Sequence, residues 1–240
     1  MSKSLFVGAA GALVVGMPMV AQAESPHTFS ANVALTSEYM FRGISQTDGA
    51  PAVQGGFDYS YDSNTFADPY VGIWASNVSF GGGIEADYYG GLAGEFSNGI
   101  GWDVGGLYYD YPAASPAGET FDYFEAYGSL SYTFPGEYEP TVGMGYAYSP
   151  DFFGETGDGH WFNPSFGLSL PQGVGFSASY GYQDVDDLGN YSTYTIGLSK
   201  DVGMFGLALD WIDTFDEDDF CTGIENLCDG RVVFTVSSSF

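Results

Sequence analysis

The last ten residues, Arg231-Val232-Val233-Phe234-Thr235-Val236-Ser237-Ser238-Ser239-Phe240, divide the possible folds of this chain. Val232, Phe234, Val236 and Phe240 share one face of an alternating strand, with Arg231, Thr235, Ser237 and Ser239 on the other. The closing strand of a bacterial outer-membrane β-barrel reads this way: apolar toward lipid, polar toward the lumen, and a terminal aromatic, here Phe240, available as a signal to the barrel-assembly machinery. An edge strand ending a soluble sandwich fits the same ten residues, so the decision passes to the rest of the chain.

At the other end, Lys3 precedes an apolar, Gly/Ala-rich stretch over 5–20, followed by Ala21-Gln22-Ala23, a small-x-small cleavage pattern. Residues 1–23 therefore read as a signal peptide and 24–240 as the exported chain. A membrane anchor is the competing reading, but the stretch is short and interrupted by Pro18. Beyond Ala23 no segment approaches the roughly 20 consecutive apolar residues of a spanning helix, so any crossing must be made by strands. Composition agrees: 36 Gly, 20 Phe and 19 Tyr suit turns, strands and interfacial girdles. Only 4 Lys and Arg stand against 31 Asp and Glu, a formal charge of -27, which argues against nucleic acid as a partner.

Period-2 alternation predicts about twelve strands, an even number as a single-chain bacterial barrel requires. They cover 29–42, 53–61, 70–78, 84–96, 100–111, 121–134, 141–148, 161–170, 174–183, 191–200, 204–213 and 231–240. Tight connections over 97–99, 135–139, 171–173 and 201–203 mostly alternate with longer polar ones over 43–52, 112–120, 149–160, 184–190 and 214–230. Short periplasmic turns and longer outer loops produce that alternation in an up-and-down barrel. The connections over 62–69 and 79–83 break it, the first long for a turn and the second short for a loop.

Facing follows from the alternation. Ile84, Ala86, Tyr88, Leu92 and Phe96 suit lipid, while Glu85, Asp87 and Glu95 suit a wet lumen. Phe166, Leu168 and Leu170 oppose Asn163, Ser165 and Ser169, and Phe176, Ala178, Tyr180 and Tyr182 oppose Ser177, Ser179 and Gln183. The strand over 70–78 stays ambiguous, because Val71, Ile73 and Ala75 compete with Trp74 and Val78 for the lipid face.

The opening block, Ser37-Glu38-Tyr39-Met40-Phe41-Arg42-Gly43-Ile44-Ser45-Gln46-Thr47-Asp48 with Pro51-Ala52-Val53-Gln54-Gly55-Gly56-Phe57-Asp58-Tyr59, resembles the first strands of the TorF-type porins. That proteobacterial outer-membrane family, the Gcw_chp type, was long catalogued as of unknown function. The resemblance implies an outer-membrane barrel with a pore role; it carries over no substrate and no catalytic residue.

Arg42 is expected on the lumen side with Glu38, close to Asp58 and to Glu85 and Asp87. There it either forms a fixed ionic constriction or neutralises an acidic wall, and both readings require it to be paired. The expected lumen and selectivity residues are Glu38, Arg42, Asp58, Glu85, Asp87, Glu95, Asp103 and Arg231. Cys221 and Cys228, in the longest acidic loop of an exported chain, are expected to form a disulfide. A metal centre would need more thiol or imidazole ligands than this loop offers. The loop acids Asp213, Asp216, Glu217, Asp218, Asp219, Glu225, Asp151, Glu155 and Asp158 match no dedicated calcium pattern and read as solvated, with divalent bridging to lipid phosphate as a weaker alternative.

His160, beside Asp158 and near Ser165, is the one place where a hydrolytic centre could be assembled, and no acyl-transfer motif surrounds it. No cofactor is expected. The chain therefore reads as an all-β, up-and-down transmembrane barrel of about twelve strands in the outer membrane. Its expected role is passive diffusion of small hydrophilic solutes with a preference for cations, selectivity being set by rings of carboxylate and pore diameter rather than by a moving gate. Its expected partners are outer-membrane lipid, lipopolysaccharide, the assembly machinery and those solutes. The alternatives are a structural or adhesive barrel filled by Tyr89, Tyr109, Tyr123 and Tyr127, and a hydrolase using His160.

Overall fold

The computed structural model describes residues 25–112, 121–216 and 220–240. The expected signal segment lies outside the described residues, as do most of the loop expected over 112–120 and the acids Glu217, Asp218 and Asp219. Strand β1 (His27–Thr36) leads into β2 (Met40–Phe41) and β3 (Ile44–Ser45), two-residue strands that pair with each other. There follow β4 (Ala52–Tyr61), β5 (Asp68–Asn77), β6 (Ile84–Glu95), β7 (Gly101–Asp110), β8 (Tyr123–Thr133) and β9 (Thr141–Ser149). The last are β10 (Gly159–Leu170), β11 (Val174–Val185), β12 (Gly189–Val202), β13 (Phe205–Phe215), a one-turn helix α1 (Glu225–Cys228) and β14 (Arg231–Ser239).

Apart from β2 and β3, the strands pair antiparallel in chain order, and β1 meets β14 to close a twelve-stranded barrel. Closure satisfies every strand edge internally, which hydrocarbon demands. The seam is completed by Phe240, whose N–H donates to Ala31 O at 2.8 Å while its carbonyl accepts from Ala31 N–H at 3.1 Å. No helix among the described residues is long and apolar enough to cross a membrane.

All twelve expected strands are present, with corrections at their ends. The strand expected over 29–42 stops at Thr36. The loop expected over 184–190 shrinks to 186–188, because β11 and β12 extend to meet at Val185↔Gly189. The connections at one end span 37–51, 78–83, 111–122, 150–158, 186–188 and 216–230, against 62–67, 96–100, 134–140, 171–173 and 203–204 at the other. The longer set marks the outer face.

Facing is resolved by burial. Phe29, Phe57, Ile73, Leu92, Leu130, Phe166, Leu198 and Phe234 are exposed on the outside and form the lipid band. In β5 the ambiguity ends with Val71 and Ile73 outward and Tyr70, Trp74 and Ser76 inward. Inward rings lie over glycines of the neighbouring strand: the Tyr89 ring covers Gly72, and the Trp161 indole covers Gly181 so closely that a Cβ there would overlap it. Gly181→Ala is thus expected to push the indole off the wall and destabilise the barrel by about 1–3 kcal/mol, read as a lower urea midpoint of refolded protein.

Candidate functional site

After β1 the chain turns into the barrel. Thr36 Oγ1 donates to Glu38 O at 2.8 Å and Tyr39 N–H to Thr47 Oγ1 at 3.1 Å, bracketing the β2–β3 hairpin. Its two-residue tip is Arg42 (φ 49°) and Gly43 (φ 86°), the double left-handed geometry that continues the right-handed twist of a tight hairpin. Glycine is required at 43 on a second count, since a Cβ would strike the Thr193 and Thr214 hydroxyls on β12 and β13. Thr214 Oγ1 instead donates to Gly43 O at 2.8 Å, fixing the tip to the far wall.

The hairpin brings Arg42 to a carboxylate and an amide on strands distant in sequence. Its guanidinium donates twice to Glu125 on β8, at 2.8 and 2.7 Å, and once to Gln183 Oε1 on β11 at 2.8 Å. The same group lies 4.8 Å from the Phe41 ring centroid and 5.0 Å from that of Trp161, a cation held between two aromatic faces. Tyr109 OH donates to the other side of the pair, at 3.1 Å from Glu125 Oε2. Arg42 is paired as expected, but its carboxylate is Glu125 and not Asp58, Glu85 or Asp87. Gln183 takes the lumen face expected of it from the alternation, but neither its bond to Arg42 nor the role of Glu125 was expected. The one available signal was Glu125 on the inward register of Tyr123 and Tyr127.

Around this centre the outer half of the lumen is packed. Glu85 accepts from Tyr39 OH at 2.7 Å and from Tyr111 OH at 2.6 Å, so both its oxygens are occupied. Asp87, 1% exposed, has one oxygen without a hydrogen-bond partner. Glu38 accepts from Gly49 N–H at 3.0 Å and lies 3.1 Å from Arg231 Nε. Phe41 and Tyr109 meet edge to face, and Tyr109 stacks on Tyr123 with centroids 4.3 Å apart. One layer nearer the periplasm, Tyr70 OH donates to Asp103 at 2.6 Å and Tyr89 OH donates to Asp58. Of the four tyrosines read as lumen fillers, Tyr109 and Tyr123 belong to the packed half, while Tyr89 and Tyr127 form the layer beneath it.

Below that layer the character changes. Ser30, Glu95, Ser129, Ser165 and Ser169 all point inward and are exposed, so the periplasmic half of the lumen is a wet vestibule lined by hydroxyls. The expected selectivity residues therefore split by environment. Glu38, Glu85, Asp87 and Asp103 are buried, and only Glu95 and the half-buried Asp58 border the vestibule. Asp210 on β13, not among the expected lumen residues, joins them.

Cys221 and Cys228 form the expected disulfide. Its loop rests on the hairpin: Asn226 Nδ2 donates to Asp48 Oδ1 at 3.0 Å, and Asn226 O accepts from the Arg231 guanidinium. His160 and Ser165 do not come together. His160 faces outward, hydrogen-bonded to Tyr146 OH at 2.7 Å and tilted against Tyr148, whereas Ser165 lies on the lumen face of the same strand.

Solved structures share this fold. An outer membrane channel from Pseudomonas putida F1 matches at 9% identity with a TM-score of 0.55, over 93% of this chain and 98% of that one. A barrel from a study of in-meso crystallization of membrane proteins matches at 11% identity and 0.55, over 88% and 83%. OmpF of Salmonella typhi is a looser match, at 9% identity and 0.48, over 89% and 97%. No curated protein matches the chain. The fold is thus that of outer-membrane β-barrels. A family model described as bacterial protein of unknown function, Gcw_chp, matches residues 20–240, and the chain belongs to that family.

Proposed function

We propose that this protein is an outer-membrane channel for passive diffusion of small hydrophilic solutes, with a preference for cations, and that the β2–β3 hairpin is its gate. The observation that carries the proposal is a wet vestibule ending beneath a hairpin that lies inside the barrel without joining its sheet. The hairpin is held by hydrogen bonds, one buried ion pair and ring contacts, so it can leave without breaking any barrel ladder. The Pseudomonas putida channel of the same architecture supports the transport role. Export through the 1–23 segment, assembly through Phe240 and a surrounding of phospholipid and lipopolysaccharide belong to the same proposal.

Cation preference rests on the vestibule. Asp58, Glu95 and Asp210 border it, and neither lumenal guanidinium does, because Arg42 and Arg231 are spent on Glu125 and Glu38 above. Fixed carboxylates raise the local cation concentration and repel anions. In planar bilayers the refolded protein is expected to open rarely and to pass cations preferentially. The preference should weaken as the screening length falls from about 10 Å at 0.1 M salt to about 3 Å at 1 M. Asp58→Asn with Glu95→Gln should lower the reversal potential more than Glu85→Gln with Asp87→Asn, since the latter pair is out of water. Anion preference would refute the acidic-vestibule mechanism.

A second reading, a structural barrel with a filled lumen, is favoured by the complete burial of Gln183 and Ser149 at the outer end. Absence of conductance in both the unaltered protein and Arg42→Ala would establish it instead.

A further inference from the structure

The chain has four Lys and Arg residues, and among the described ones only Lys200 faces outward from the barrel. Lys3 lies in the expected signal segment, while Arg42 and Arg231 point into the lumen. Lys200 on β12 shares its face with Ile196, Leu198 and Val202, all exposed on the outside, and Ser199 takes the opposite face. It lies two residues before the end of β12, beside the short turn at 203–204, and therefore at the periplasmic rim.

Its cross-strand partners are Val174 on β11 and Leu207 on β13. No ion pair to Lys200 exists among the described residues. The outward positions around it on β11, β13 and β14 (Val174, Phe176, Leu207, Leu209, Phe234 and Val236) include no carboxylate. Asp201, the next residue, takes the opposite register beside Gly206 and makes no ion pair with Lys200, so the ammonium has no carboxylate on its own face and its counter-charge is left to be supplied from outside.

The wall beside Lys200 is also indented. A shallow groove of about 160 Å³ is lined by Val174, Leu198, Lys200, Leu207, Leu209 and Phe234. The exposed lining is largely apolar and suits hydrocarbon, while the Lys200 ammonium attracts an anion. We infer that the groove and Lys200 together bind one anionic glycerophospholipid of the periplasmic leaflet, the phosphate on the ammonium and part of an acyl chain in the groove. A zwitterionic headgroup is the poorer occupant, because its own cation finds no carboxylate here. Lipopolysaccharide phosphates lie at the opposite, long-loop face. The site is independent of whether the lumen conducts.

Trp211 reports on this site, since it is exposed to lipid two residues along β13 from Leu209. Of the other tryptophans, Trp74 and Trp161 point inward and Trp102 lies on β7. In a Trp102→Phe background, refolded full-length protein would be placed in phosphatidylcholine vesicles containing an equal fraction of brominated phosphatidylglycerol or brominated phosphatidylcholine. Quenching of Trp211 is expected to show about fivefold preference for the phosphatidylglycerol at low salt, the effect of one lysine near an anionic lipid, and to lose it at high salt. Lys200→Gln should abolish the preference, Lys200→Arg should keep it, and Leu198→Phe, which fills the groove, should reduce it.

Heat-modifiable migration of each variant would confirm that the barrel is folded. Equal quenching by the two lipids, or a preference that survives Lys200→Gln, overturns the site. A dimer in which Trp211 is shielded from both lipids would assign the groove to a second copy and overturn it as well.

Discussion

Arg42→Ala is expected to cost about 3–5 kcal/mol, because it strands the Glu125 carboxylate in a buried site with only the Tyr109 hydroxyl to solvate it. It also leaves a void between Phe41 and Trp161 where the guanidinium stood. The loss should fall on the hairpin rather than on the ladders, so frequent channel openings should accompany a lowered first transition in urea. Arg42→Lys should be intermediate: a single ammonium keeps the charge but cannot make the parallel pair to Glu125 together with the bond to Gln183. Adding Glu125→Gln to Arg42→Ala should recover part of the stability by removing the unpaired charge. An Arg42→Ala barrel with unchanged urea transitions and unchanged conductance would show that this pair does not hold the hairpin.

The second large effect separates the two faces of the wall. Leu92 on β6 pairs with Pro69 and Val104 and is exposed on the lipid side, as is Tyr88. Arginine at either position should destabilise the barrel by about 2–4 kcal/mol where it lies near the bilayer midplane. Ser177 and Ser179 on β11 face the lumen, and arginine there has water within reach, so the cost should be small. Urea midpoints of the four variants in one lipid give the comparison. The reverse ranking would mean that β6 or β11 is slipped by one residue, which inverts every side chain along it.

The barrel was legible because most of its wall obeys one rule, apolar out and small or polar in. The hairpin was not, for a specific reason. Glu38 keeps the inward register of Thr36 after β1 ends, so alternation runs on into the turn. That turn is made by Arg42 and Gly43, whereas the usual residue before the glycine of such a tip is Asn, Asp or Gly. Arg42 accepts the left-handed conformation because its guanidinium is fixed from several sides, a compensation invisible locally. The ambiguity in β5 has the same origin. A lumen that is dry in its outer half needs apolar groups inside as well as outside, and Trp74 turns inward to meet Tyr39 with ring centroids 5.5 Å apart. Val185 and Val233 are buried inward for the same reason, which blurs the two-faced pattern at that end.

The hairpin also orders events in time. Most barrel ladders join strands adjacent in sequence and can zip from their connecting turns. Arg42, by contrast, meets Glu125 at a separation of 83 residues and Gln183 at 141, and Gly43 meets Thr214 at 171. Contacts of that span carry the largest loop-closure penalty and form late. The only ladder of comparable reach is the β1–β14 seam, and the hairpin leaves β1 at that seam's outer end. The segment that fills the lumen is thus tethered to the last edge that closes around it, so an open-seamed intermediate is also an unplugged one, and closure of the wall and occupation of its interior fall within a single kinetic step.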